Sequence, residues 1–540
     1  MIGRFFLFLT VLHTFISANA VAEELKPAFT LFIPMRDGKK LPTDLYLPYP
    51  EAKNLPCILL RSPAGKEAPH WKPFTAMAKA GYAIAIQDTR SALDLEGKTV
   101  PFMTDGWGKL QDGYDTVEWL AQSPYTNGKI GTWGSSALGI TELLLAPSHP
   151  PHLVCQYMMM SAASLYHHGL FPGGQLLKNQ VEGWLGLYAH DTGVLNYVCN
   201  RPFYNEFWHQ LNTVAVADQV KVPGLHIGGW YDTFLQGTID AYLSRQINGG
   251  EGAKGKQKLV IGPWTHYWPL SQELGDYQVP PHAMTPPYDI SAKTWFDYYL
   301  KGENNSIEKL PPVIYYVMGP FDGELSKGNQ WKTAKQWPIP SEKRSFYLTP
   351  DHSLQTKVAK EGKLSYTYDP NKVTETKGGR NLFLKSGPVD LKEIEKRADT
   401  LVFTTPILTE DVEVTGNLFA DLYFHTDQAD TDLILYVSDL YPDGRSLLIT
   451  EGGYRLATNH KNCLQGPVKI RVDLAATSMV FAKGHAIRLI ISSSNYPKYE
   501  INTNCGLFNT YLHQAAAAKN SILTGENYPS QLILPIVEIK

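Results

Sequence analysis

At 540 residues and 60.4 kDa the chain has room for three or four domains of about 150 residues each. Its 43% hydrophobic and 19% charged residues supply packed cores and carry no bias toward disorder or a collagen-like repeat. The 49 basic against 52 acidic side chains lack the clustered positive excess that nucleic-acid binding requires, so nucleic acid is not an expected partner.

The first segment, 1–20, reads as a signal peptide. Arg4 supplies a positive start, 5–16 is largely apolar, and Ala18-Asn19-Ala20 is a small-x-small cleavage site. The apolar run is shorter than the ~20 residues that span a bilayer, and no later stretch is longer. The expected destination is therefore periplasmic or secreted, with no membrane partner once the signal is removed. Cysteine usage adds little. Of Cys57, Cys155, Cys199, Cys463 and Cys505, none forms a C-x-x-C pair. Cys463 with Cys505 could close a disulfide in an oxidising compartment, while Cys57 and Cys155 sit in apolar runs that suit buried thiols.

From residue 21 the chain alternates two kinds of segment. Short apolar runs at 57–60, 82–86, 129–133, 153–160, 224–229 and 259–262 lack polar alternation, as strands buried on both faces of a parallel sheet do. Amphipathic stretches at 112–121, 139–146 and 237–244 read as helices. Repeated strand–helix units imply an α/β domain, assigned to 21–162 and 221–335, whose active site lies at the carboxyl ends of its strands. Between them, 163–220 breaks the rhythm with His167, His168, Trp184, Tyr188, Tyr197, Phe203, Tyr204, Phe207 and Trp208. A connection this long is usually functional, and it reads as a helical cap. From 336 to 540 the pattern becomes that of a jelly-roll β-sandwich. Val468, Ile470, Val472 and Leu474 alternate with Lys469, Arg471 and Asp473, and Pro442-Asp443-Gly444 marks a turn. The charged stretch 390–397 reads as a loop or short helix.

Chemistry gathers at three strand ends. In Lys129-Ile-Gly-Thr-Trp-Gly-Ser-Ser-Ala-Leu-Gly139 a strand enters a tight turn before a helix. Such an elbow needs small residues because its backbone is strained and the strand and helix nearly touch. Gly134 at −2 and Gly139 at +3 select Ser136 over Ser135, although the usual +2 glycine is Leu138. A serine needs a base held by an acid. Asp232, after Gly228-Gly229-Trp230-Tyr231, and His266, after Gly262-Pro263-Trp264-Thr265, follow in the order Ser, Asp, His of an α/β-hydrolase. Alone, Asp232 would read as a helix cap and His266 as a loop histidine; three ordered placements favour catalysis. The backbone N–H of Ala137 is then the expected oxyanion donor, worth about 2.7–4 kcal/mol in the transition state. Trp133, Trp230, Trp264, His167 and Trp184 are candidate pocket residues, with the cap's own core as an equally weighted reading of the cap aromatics. No His-Glu-x-x-His or comparable ligand cluster occurs, so neither metal nor cofactor is expected.

These segments resemble the cocaine esterase and X-Pro dipeptidyl-peptidase family of serine hydrolases. The resemblance runs through Arg61-Ser-Pro-Ala-Gly-Lys66, Gln87-Asp-Thr-Arg90, Asp112-Gly-Tyr-Asp115, 131–139, Gly229-Trp-Tyr-Asp232 and Gly262-Pro-Trp-Thr-His266. It continues through Tyr441-Pro-Asp-Gly-Arg445, 481–488 and Ser492-Ser-Ser-Asn-Tyr-Pro497. It implies an α/β-hydrolase core, an inserted helical cap and a C-terminal jelly roll, with Ser136, Asp232 and His266 at the nucleophile, acid and base positions. Two departures stand out. Where the family commonly has Arg-x-Pro-Tyr, whose hydroxyl helps form the oxyanion hole, this chain has Ala64. The second donor is then a backbone N–H near Ala64 or Gly65, another side chain, or absent. The related amino-acid ester hydrolases carry acids where this chain has Phe234 and Leu235, which disfavours amino-acid esters.

The leading expectation is an exported serine hydrolase of small acyl esters or amides. An X-Pro dipeptidyl-peptidase is the alternative, needing a cap carboxylate (Glu182, Asp191, Glu206 or Asp218) for a free amino terminus. A weakened, carbohydrate- or ligand-binding protein is a third reading, favoured only by Ala64.

Overall fold

The computed structural model describes residues 25–67, 72–93, 99–188, 192–323, 326–358, 360–459, 466–506 and 515–539. The expected signal peptide and Cys463 lie outside the described residues.

A ten-stranded sheet forms the first layer. Its strands are β1 (Phe29–Pro34), β2 (Lys40–Tyr46), β3 (Leu55–Ser62), β4 (Ala83–Asp88), β5 (Thr126–Ser135), β6 (Leu153–Met159), β7 (Gly224–Tyr231) and β8 (Gln257–Thr265). Val313–Val317 and Gln330–Ala334 complete it. The spatial order is β1-β2-β4-β3-β5-β6-β7-β8, then those two. From β4 to Val313–Val317 every pairing is parallel, and antiparallel strands flank both sides. Every residue of β4 and β7 is buried, as expected where helices cover both faces of a parallel sheet. The antiparallel pair β1–β2 and the two final strands were not among the sequence-predicted strands.

The helices pack where small residues let them approach. Asp112–Ala121 spans the predicted range, and a Cβ on its Gly113 would meet Leu145 Cδ1 at 2.6 Å. Buried Arg90 ties this helix to the β2 side of the sheet, bonding Asp112 at 2.7 Å and Asp37 at 2.7 Å. Between β6 and β7 stand the helical segments Leu165–Leu170, Pro172–Gly174, Lys178–Tyr188, Thr192–Cys199, Glu206–His209 and Thr213–Gln219, an inserted helical cap whose apolar side chains share one buried cluster with Ile140 and Leu144 of the first layer and with Ile434, Tyr436 and Leu448 of the C-terminal strands.

The C-terminal part is a β-sandwich. One antiparallel sheet runs Leu354–Gln355, Glu342–Leu348, Gln531–Val537, Val412–Thr426, Ala518–Thr524, Gly362–Tyr368, with Val468–Phe481 also paired to Val412–Thr426. The other runs Leu401–Thr404, Ala486–Ser492, Asp432–Leu440, Ser446–Arg455. Along Val468–Phe481 the alternation read from the sequence holds: Ile470, Val472 and Leu474 are buried while Lys469, Arg471 and Asp473 are exposed. The charged stretch near 390 holds a short helix, Lys392–Glu395.

The parts are joined by polar contacts. Tyr231, at the end of β7, donates its hydroxyl to Leu448 O at 2.9 Å. Met318 exchanges backbone bonds with Ser478 and Val480 at 2.9 and 2.8 Å. The cap turn at Gly173 lies against the backbone of Gly453.

Candidate active site

The elbow is built from β5 and the helix Ala137–Leu145. Ser136 sits between them at φ 57° and ψ −123°, a conformation L-residues avoid and one that turns the serine hydroxyl out of the strand–helix path. Its N–H donates to Met159 O at 3.0 Å, and its carbonyl accepts from Ile140 N–H at 3.0 Å. The turn is therefore pinned at both peptide groups. A Cβ on Gly134 would stand 2.5 Å from Leu138 C, and one on Gly139 would stand 1.9 Å from Ser161 Oγ. Those two glycines are sterically required, whereas Leu138 at +2 is accommodated in the core.

The acid and base arrive by sheet register. In the parallel pair β7–β8, Tyr231 lies opposite Thr265, so Asp232 and His266 are the next residues of neighbouring strands. The strands close tightly there, since a Cβ on Gly229 would meet Trp264 O at 2.2 Å. Asp232 is fully buried, its N–H bonded to Gly229 O at 3.0 Å and its carbonyl accepting from Leu235 N–H at 3.2 Å. His266 Nδ1 lies 2.6 Å from Asp232 Oδ1, and His266 Nε2 lies 2.9 Å from Ser136 Oγ. A carboxylate can only accept, which assigns the ring proton to Nδ1 and leaves Nε2 to accept from the serine hydroxyl.

The walls differ from the pocket read in the sequence. Phe234 packs edge-on against His266, with centroids 5.5 Å apart, and Trp184 of the cap lies 6.2 Å beyond Phe234. Phe102, at φ 73°, adds a third ring 5.3 Å from Trp184. Trp184 therefore stands one ring removed from His266, buried in the apolar cluster it shares with Phe102 and Phe234, as the core reading of the cap aromatics has it. The other tryptophans do not line the site either. Trp133 is wedged between Phe74, Tyr157 and Phe296. Trp230 gives its indole N–H to Tyr316 O at 2.7 Å, and Trp264 gives its own to Ala283 O at 2.9 Å. The reason is pleat: alternate residues of a strand face opposite sides, and these side chains fall on core faces. His167 is exposed on the cap, its Nδ1 3.0 Å from Ser164 Oγ and its ring 4.8 Å from Tyr204. Phe102 could not be found from the sequence, because nothing local marks a loop residue that folds back onto the cap. Phe234 could have been, standing two residues past the acid.

Ala137 is the first residue of the helix after Ser136, where N–H groups have no intrahelical acceptor and the helix dipole favours negative charge. Ala64 does not serve as the expected second donor. Its N–H donates to Ser62 Oγ at 3.2 Å, and that hydroxyl donates to Gly65 O at 3.0 Å, so the amide closes its own turn. The turn is held by its base. Buried Arg61 pairs with buried Asp105, gives Nε–H to Gln87 at 2.7 Å, and accepts Thr141 Oγ1–H at its carbonyl at 3.1 Å. Burial raises the Asp105 carboxyl to about 6 despite the Arg61 guanidinium.

An elbow serine, a buried carboxylate and a histidine bridging them on an α/β-hydrolase sheet define the protein as a serine hydrolase. The chain belongs to the cocaine esterase and X-Pro dipeptidyl-peptidase family. The family model for X-Pro dipeptidyl-peptidase (S15 family) matches residues 37–192 and 185–268, and that for the X-Pro dipeptidyl-peptidase C-terminal non-catalytic domain matches 305–533. Cocaine esterase of Rhodococcus sp. strain MB1 Bresler is 28% identical over 95% of this chain and 98% of its own length. Two solved structures, each 21% identical, share the fold. An aminopeptidase from a marine sediment Thaumarchaeota archaeon has a TM-score of 0.77, covering 95% of this chain and 97% of that one. A CocE/NonD family hydrolase from Staphylococcus aureus has a TM-score of 0.72, covering 94% and 93%.

Proposed function

We propose that this chain is an exported serine hydrolase that cleaves small acyl esters or amides through Ser136, His266 and Asp232. The observation that carries the reading is the continuous pair of hydrogen bonds, 2.9 Å from Ser136 Oγ to His266 Nε2 and 2.6 Å from Nδ1 to Asp232 Oδ1. Ser136 Oγ attacks the substrate carbonyl carbon while His266 Nε2 takes its proton. Asp232 holds the ring and stabilises the imidazolium. The Ala137 N–H donates to the tetrahedral oxyanion. The oxyanion collapses, the imidazolium gives its proton to the leaving alcohol or amine, and an acyl-serine remains. Water, deprotonated by His266, then releases the acid and regenerates the serine.

Ester or amide substrates without a free amino terminus are favoured because the described cap carboxylates considered for that role are exposed to solvent. Glu182 pairs with Lys178 on an exposed helix face, and Glu206 and Asp218 are exposed; Asp191 lies outside the described residues. Export rests on the tripartite segment 1–20.

The test is covalent. A fluorophosphonate probe labels the purified wild-type chain, and Ser136→Ala abolishes labelling and lowers kcat on p-nitrophenyl esters by about 10⁴-fold or more. Absence of wild-type labelling overturns the enzymatic reading in favour of a binding protein. Faster turnover of an X-Pro-p-nitroanilide than of the esters moves the assignment to dipeptidyl-peptidase.

A further inference from the structure

The base and the acid of the triad are held in different ways. His266 meets the rings of Phe234 and Tyr267 edge-on, with centroids 5.5 and 6.2 Å away, and Tyr267 is itself fixed by donating its hydroxyl to Leu382 O. Asp232 lacks comparable support. Its side chain is fully buried, Oδ1 meets His266 Nδ1 at 2.6 Å, and Oδ2 has no hydrogen-bond partner among the described residues. Buried polar atoms are normally bonded. With one oxygen idle, no second bond resists rotation of the carboxylate about Cβ–Cγ, so its orientation must come from the backbone that carries it.

That backbone is the short loop of Asp232, Thr233 and Phe234 between β7 and the helix Leu235–Asn248. Asp232 N–H donates to Gly229 O at 3.0 Å, Leu235 N–H to Asp232 O at 3.2 Å and Thr238 N–H to Phe234 O at 2.9 Å. These bonds tie the loop only to its own strand and helix. Among the described residues, its one side-chain hydrogen bond besides the triad's own comes from Thr233, whose hydroxyl donates to Gln180 Oε1 at 2.5 Å. Gln180 is buried on the cap helix Lys178–Tyr188. Its Nε2 donates to Gly169 O at 2.8 Å. A carbonyl can only accept, so that bond decides which end of the amide faces Thr233. The Gln180 amide thus joins two cap segments to the residue that follows the acid. Phe234 also anchors the loop through its buried ring, but apolar packing is not directional and does not set an angle as a hydrogen bond does.

We propose that Gln180 and Thr233 are a positioning pair for the triad acid: the cap amide fixes the peptide after Asp232, and so the angle at which Oδ1 faces His266 Nδ1. The pair acts on the step in which Ser136 loses its proton, because the imidazolium formed there depends on the Asp232 bond. A bond that merely docked the cap would act on substrate binding instead. The inference rests on the hydrolase reading above and adds two positioning residues to it.

Thr233→Val keeps the shape of the side chain and removes the donor. Its kcat on p-nitrophenyl esters is expected to fall about tenfold with KM within about twofold of the wild type. Thr233→Ser, which keeps the hydroxyl, recovers most of the loss, and Gln180→Met, which breaks the same bond from the cap side, reproduces it. The deciding measurement is a double-mutant cycle read as the rate of fluorophosphonate labelling. Thr233→Val slows labelling about tenfold when Asp232 is present and leaves it unchanged in an Asp232→Asn chain, since the pair reaches the serine through the acid alone. Equal slowing in both backgrounds, a wild-type kcat in Thr233→Val, or a raised KM with kcat unchanged overturns the positioning role and leaves the hydrolase reading intact. A wild-type chain that takes no label overturns the hydrolase reading and this inference with it.

Discussion

Ala64 stands where the family resemblance implies a tyrosine whose hydroxyl helps form the oxyanion hole. The methyl group it carries instead is exposed, and its amide is engaged by Ser62 Oγ at 3.2 Å. In the proposed reaction the Ala137 N–H then meets the developing charge with neither that hydroxyl nor the Ala64 amide beside it. A single donor of this kind is worth about 2.7–4 kcal/mol, which translates to a factor of about 10²–10³ in rate. Ala64→Tyr is expected to raise kcat on p-nitrophenyl esters by about tenfold or more with little change in KM, because the new hydroxyl acts on the oxyanion and not on the ground-state substrate. Steady-state kinetics of the variant check this; an unchanged or lower kcat means that another group already fills the role.

At the scale of elements, the strand ends carried most of what the sequence could reveal. A run buried on both faces needs no partner to be recognised, and β3 to β8 were each marked by such a run. The elbow was legible because Gly134 and Gly139 answer to backbone contacts only a few residues away. The tryptophans misled, since a large aromatic at a strand's end reads as pocket lining until the pleat assigns its face. Phe102 and the Asp105–Arg61 pair stayed hidden because they depend on loops meeting far along the chain. Family segments such as Gln87-Asp-Thr-Arg90 and Asp112-Gly-Tyr-Asp115 prove structural: Arg90 grips Asp112 and Asp37. One buried strand residue carries a pH consequence. His226 on β7 is 1% exposed, its Nε2 3.0 Å from Gln257 Oε1 of β8, and burial, reinforced by Arg245, lowers it to about 3. Its pKa is depressed, so the folded state stays neutral while the unfolded chain takes up a proton below about 6.5. The stability it contributes is fully present above that pH and is lost as the pH falls toward 3. The loss amounts to about 2 kcal/mol between pH 6.5 and 5. Urea unfolding midpoints at pH 7.5 and 5.0 are expected to differ less in His226→Gln than in the wild type, and equal pH dependence would show that His226 is not the group responsible.

For the whole molecule, the site is complete only when the three parts are docked. β7 delivers Asp232 and, one residue earlier, anchors to the sandwich through Tyr231. The cap supplies Trp184 and Gln180, and the sandwich supplies Leu382. Cap and sandwich meet directly at Pro172–Gly174, where Gly173 has φ 60° and Gly174 φ 82°. A Cβ on Gly173 would stand 1.9 Å from Gly453 O, which is backbone in the strand Ser446–Arg455 and cannot rotate away. Gly173→Ala must therefore displace the cap turn from the sandwich as well as strain a left-handed backbone. The triad lies on the sheet, away from that seam, and its hydrogen bonds do not pass through it. The expected result is a lower thermal midpoint and a raised KM, with fluorophosphonate labelling of Ser136 retained, because the displaced cap moves the substrate walls and leaves the nucleophile in place. A variant with wild-type KM and thermal midpoint would mean that the cap adjusts independently of the sandwich, and that the walls of the site are set by the cap alone.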